Sequence, residues 1–153
     1  MYTILLVIHS WFRWLVLASL LYAVCRSCYG WITGHQFTAA DNSVRHVTAT
    51  VAHVQFLIGI ALYFVSPVVM YFLQNFNTAV HQRDIRFFGM EHITMMLIAI
   101  CMITIGSVRA KRKGTDRAKF KTLAIWYGIG FIIIFLSIPW EFSPFTSRPY
   151  LRS

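Results

Sequence analysis

The chain has 153 residues, of which 58% are apolar and 12% charged, against about 45–50% and 25% in an ordinary soluble domain, which excludes a soluble globule. About 20 apolar residues cross the roughly 30 Å of bilayer hydrocarbon, so this length holds four crossings and leaves nothing for a large extramembrane catalytic domain. Fourteen Lys and Arg against five Asp and Glu give a formal charge of +9, but seven of the basic residues gather between Arg109 and Lys121, as the positive-inside rule places them, and no aromatic-interleaved basic surface points to nucleic acid.

The apolar runs predict an all-α, integral membrane four-helix up-down bundle forming a single domain. The first helix covers 3–25, with Arg13 as its only formal charge. The N-terminus lacks the basic region of a signal peptide, so this segment reads as a retained membrane helix. Arg26, Gly30, Gly34 and Asp41-Asn42-Ser43 follow as a loop that ends in a helix N-cap. The second helix covers 47–73 and carries Gly59 and Pro67, the proline either kinking or stopping it. The third covers 87–108 and the fourth 122–140, with the basic stretch between them. Residues 141–153, which include Pro144 and Pro149, are expected to form a tail without regular structure. Nine Lys and Arg lie in the first and third connections and four in the second connection and the tail. That asymmetry predicts cytoplasmic first and third loops, with both termini on the outer side.

Ionisable residues within membrane spans are costly and are functional candidates by default. His9, Arg13, His53, Glu91 and His92 meet that description. With a helical rise of about 1.5 Å per residue, His9 and His92 each fall roughly 8 Å to the outer side of their run centres. In an up-down bundle the first and third helices occupy diagonal corners, so this pair can face across the core. The arrangement suits two axial imidazoles on one haem iron; a non-haem polar network and a copper or other metal site are the alternatives. His53 falls about 10 Å to the other side of its run centre, which suits hydrogen bonding or a quinone site. It becomes a rival ligand if the second helix ends at Pro67. Arg13 is one turn from His9 on the same face and needs an anion, either Glu91 or a haem propionate. Arg83 and Arg86, at the outer edge of the third helix, are placed for propionates or for simple snorkelling to the interface.

Other patterns carry less. Cys25-Arg26-Ser27-Cys28 has thiol-redox spacing but ends a membrane helix instead of opening a helix after a strand, and Tyr29 stands where covalent haem attachment needs His. Met90, Met95, Met96 and Met102 could face copper, yet no second sulfur cluster accompanies them, and methionine is ordinary packing material. No nucleophile with its base, phosphate loop or catalytic carboxylate pair stands out.

Several segments together resemble a family of small bacterial membrane proteins commonly labelled cytochrome B. They are His9-Ser10 with Arg13-Trp14, Ala52-His53-Val54-Gln55 leading to Gly59 and Leu62-Tyr63-Phe64-Val65-Ser66-Pro67, then Glu91-His92, and Ser137-Ile138-Pro139-Trp140. The resemblance extends over essentially the whole chain and implies a b-type haem and a bacterial inner-membrane setting. It differs from the large respiratory cytochrome b subunits, in which each of two helices carries two haem-ligating histidines; here no helix has such a pair within its span.

The expectation is therefore a single haem b held by His9 and His92, with Arg13 and His53 as further cofactor-binding candidates. Electrons would be exchanged with a quinone or a partner oxidoreductase, either free-standing in the lipid or within a larger respiratory complex. The alternatives are a cofactor-free accessory subunit of a larger membrane complex and a metal transporter.

Overall fold

The computed structural model describes residues 1–140. Among them the elements are α1 (Tyr2–Thr33), α2 (Ala39–Val65), α3 (Pro67–Gln74), two single turns α4 (Phe76–Ala79) and α5 (Arg83–Arg86), a π-helical turn (Phe87–Glu91), α6 (His92–Lys111) and α7 (Asp116–Ser137). Four segments are long and apolar enough to cross a membrane: α1, α2, Arg83–Lys111 and α7. The protein is an all-α, multi-pass membrane bundle, as the apolar runs require. The tail expected over 141–153 lies outside the described residues.

The helices overrun the apolar segments because their ends are set by capping. α1 continues through Arg26 to Thr33 and stops at Gly34, whose φ of 68° suits a residue without Cβ and whose N–H bonds back to the Gly30 carbonyl. α2 then begins at Ala39, eight residues before its apolar run. Thr38 is its N-cap, and Asp41 closes a capping box by accepting from the Thr38 N–H at 2.9 Å. Asp41-Asn42-Ser43 is thus the first turn of a helix and not a loop. Asp41 also accepts from Arg26 Nε at 2.7 Å, tying the end of α1 to the start of α2. The basic connection is likewise short: α6 runs to Lys111, and Thr115 caps α7 by accepting from the Ala118 N–H.

Pro67 stops α2 outright. Ser66 has an extended backbone, as a residue before proline prefers, and α3 restarts with Pro67 at its first position. α1 packs on α2 and α7, and α6 packs on α7 and, along a thinner seam, on α2. That leaves α1 and α6 on opposite corners. Leu20, Ile103, Phe120 and Tyr127 are the largest fully buried side chains. Tyr127 donates its hydroxyl to the Arg45 carbonyl at 2.7 Å, so the polar end of this core residue is matched. Leu15, Leu57, Phe64, Leu97, Ile132 and Leu136 point outward, as lipid-facing positions do.

Candidate functional site

His9 on α1 and His92 on α6 face each other although their helices stand on opposite corners. Their ring centroids are 6.4 Å apart with the planes at 77°. The matched depth expected from counting residues is therefore realised in space. Two local features aim the His92 ring. The first is the π-helical turn immediately before it, in which the His92 N–H bonds to the Phe87 carbonyl five residues back. In an α-helix residues five apart diverge by about 140°. The wider turn instead brings the Phe87 and His92 rings to 5.6 Å, and such turns recur at functional sites.

The second feature is the end of α7. Pro139 has no N–H to give to the Phe135 carbonyl, and the Trp140 indole donates to that oxygen instead, at 2.8 Å. The helix ends at Ser137, and the Ser137 carbonyl receives His92 Nδ1 at 3.1 Å. A carbonyl only accepts, so Nδ1 carries the proton and a neutral His92 keeps its lone pair on Nε2.

His9 is held through its backbone, whose carbonyl accepts from Gln55 Nε2 at 2.9 Å. Its ring lies over Gly59, where a Cβ would come within 3.2 Å of Cε1. His9 Nδ1 and Gln55 Oε1 are both buried and have no hydrogen-bond partner among the described residues. Beside the two rings is a largely apolar cavity of about 180 Å³, walled by His9, Arg13, Gln55, Gly59, Tyr63 and His92 among others. Tyr63 donates to the Gly89 carbonyl at 2.8 Å, which fastens α2 to the π-helical turn.

The remaining sequence candidates divide. Arg13 shares the cavity wall with His9, and its guanidinium carbon lies 5.4 Å from the Trp14 ring centre. Glu91, one of the two anions considered for it, pairs with Arg86 at 2.6 Å. Arg86 also donates to the Val80 carbonyl, so this arginine is engaged within its own turn and is not held ready for a propionate. Arg83 is exposed. His53 is not brought to the pair. Its Nδ1 lies 2.6 Å from the Ala49 carbonyl and its Nε2 3.0 Å from Thr104 Oγ1, in a separate cleft between α2 and α6. Its ring is hydrogen-bonded there, away from the His9–His92 pair, although α2 ends before Pro67. Cys25, Cys28 and Cys101 are free thiols, and no cluster of three or more His, Cys, Asp or Glu suited to a metal ion occurs among the described residues.

The Ser137 carbonyl and the Gln55 amide were not singled out from sequence as parts of the site. Both sit inside segments that stood out, next to Pro139-Trp140 and His53, but their roles depend on which helix lies opposite. In comparisons with known proteins, no family model matches the chain, and no curated protein or solved structure matches it significantly.

Proposed function

We propose that the protein is a membrane-embedded b-type haem protein that transfers single electrons, in which His9 and His92 would hold the haem iron. The observation that carries this reading is the 6.4 Å separation of two imidazoles from opposite corners of the bundle. At that spacing one metal ion would be within reach of a nitrogen from each ring. The bond from His92 Nδ1 to a carbonyl is the outer-shell partner that metal-bound imidazoles usually have. The buried His9 Nδ1 has no partner among the described residues, which marks the other ring as one whose bonding is incomplete there.

The two imidazoles therefore suit a haem iron that they would hold between them. The cavity, about 180 Å³, is below the roughly 300–1,000 Å³ of a usual small-molecule pocket, so a macrocycle would need the surrounding helices to separate. A bound haem supplies reversible one-electron chemistry at its iron. The chain's own part is to hold the two rings, to exclude water with apolar walls, and to place the Arg13 charge at the cavity. A nearby cation favours the electron-richer state.

The electron partners in this reading are a membrane quinone or an oxidoreductase, within a larger respiratory complex or in the free lipid. The setting is the bacterial inner membrane, and the basic α6–α7 connection faces the cytoplasm with both termini outside. A reduced-minus-oxidised visible spectrum with a pyridine haemochrome count tests the reading. One low-spin haem per chain is expected, lost in His9→Ala and His92→Ala and kept in His53→Ala. A colourless, folded protein that coelutes with a partner overturns it in favour of a cofactor-free accessory subunit. Bound copper in place of haem overturns it in favour of a metal carrier.

A further inference from the structure

A second cleft opens between α2 and α6 at the end of the bundle that carries the α6–α7 connection. Arg45, His46, His53, Ser107, Lys111 and Arg112 are among its lining residues, and no carboxylate is. Its volume is about 580 Å³, within the range of small-molecule sites. Arg45 is the unusual member, a guanidinium only 7% exposed. Its Nε and Nη2 donate to Asn42 Oδ1 at 3.1 and 2.9 Å, and its Nη1 reaches Ser107 Oγ at 2.6 Å and the Ser107 carbonyl at 3.4 Å. Every one of these acceptors is neutral. A guanidinium has five N–H donors, and this set leaves an Nη2 hydrogen over.

A buried charge with only neutral partners is costly unless an anion approaches it. No carboxylate among the described residues lines the cleft, and Asp41 is committed to Arg26, Glu91 to Arg86 and Asp116 to Lys119. Lys111 and Arg112 add two exposed cations at the cleft mouth, and Thr50 and Thr104 add hydroxyls to its wall. We infer that this cleft binds a phosphate group, with Arg45 as the buried anchor and Lys111 and Arg112 as the outer clamp. The phosphate of an anionic phospholipid headgroup and a soluble phosphate share this chemistry. Basic clefts between membrane helices at the bilayer edge are suited to the former. The inference is independent of whether His9 and His92 hold a cofactor.

The test uses the delipidated full-length protein in neutral detergent, titrated separately with short-chain phosphatidylglycerol, short-chain phosphatidylcholine and inorganic phosphate. Native mass spectrometry counts the bound molecules. The expected result is one phosphatidylglycerol per chain, held at least about tenfold more tightly than phosphatidylcholine. Inorganic phosphate that binds more tightly than the lipid identifies a soluble phosphate as the source and still supports the site. In Lys111→Gln/Arg112→Gln the affinity for the preferred ligand is expected to fall about 30-fold. Should that variant not fold, the wild-type protein must instead lose the ligand on passing from low to high salt. Equal binding of the two lipids with no phosphate binding overturns the inference, as does a double variant, or a high-salt titration, that leaves the affinity unchanged.

Discussion

Gly89 stands in the π-helical turn that aims His92, and replacing it with alanine tests that packing directly. A Cβ there would lie 2.3 Å from Phe72 Cγ, 2.5 Å from Cδ1 and 2.8 Å from Cβ. Carbon atoms in contact sit at about 3.5–4.0 Å, so Phe72 must retreat by more than about 1 Å. A change of rotamer does not clear the contact with its Cβ, and Phe72 is 3% exposed, so α3 itself has to move. Overpacking of this kind costs about 1–3 kcal/mol. The Tyr63 bond to the Gly89 carbonyl puts a further ~0.6 kcal/mol at risk, while the gain in helix propensity returns up to about 1 kcal/mol. The net expectation for Gly89→Ala is a loss of about 1–3 kcal/mol. Gly128→Ala is the control: nothing lies within 4 Å of its added Cβ, so it should be neutral or up to about 1 kcal/mol more stable. Reversible unfolding in mixed micelles, followed by tryptophan fluorescence, measures both. Equal stability of the two variants would refute the reasoning.

Three further outcomes use the same unfolding assay. Asp41→Asn removes the charge that accepts from Arg26 Nε and from the Thr38 N–H and hydroxyl, and should destabilise by about 1–2 kcal/mol; an Arg26→Gln background should shrink that loss. Tyr127→Phe strips the hydroxyl from a fully buried ring and leaves the Arg45 carbonyl unmatched on that side, for a cost of about 0.6–1.7 kcal/mol. Trp140→Phe keeps an aromatic ring but frees the Phe135 carbonyl that Pro139 cannot satisfy, with a loss near 1 kcal/mol from the hydrogen bond. A Trp140→Phe protein as stable as the wild type would mean that lipid-side water or a neighbouring group replaces the indole.

The four crossings were legible because hydrocarbon selects on composition alone: a run of about 20 apolar residues is sufficient, whichever neighbour it meets. The helix ends were less legible. Thr38 and Asp41 cap α2 well before its apolar run begins, and Gly34 ends α1 well after its run is over. Hydropathy marks where the lipid is, whereas backbone hydrogen bonding decides where a helix starts and stops. The depth of His9 and His92 followed from counting residues, since helical rise is constant. The competition between them and His53 could not be settled by depth, because depth does not say which way a ring turns.

By itself the sequence determined an all-α membrane bundle with four spans, and placed two histidines at one depth on helices that stand diagonally in the simplest up-down arrangement. Tertiary structure decided that the His9 and His92 rings meet, that the Ser137 carbonyl fixes one of them, and that His53 turns to Thr104 in a separate cleft. It also gave Glu91 to Arg86. Such choices turn on angles of rotation about each helix axis. Those angles come from close packing at glycines such as Gly89 and from contacts such as that of His92 with the Ser137 carbonyl, which are interactions between segments far apart in the chain and so are not encoded in any one run of residues.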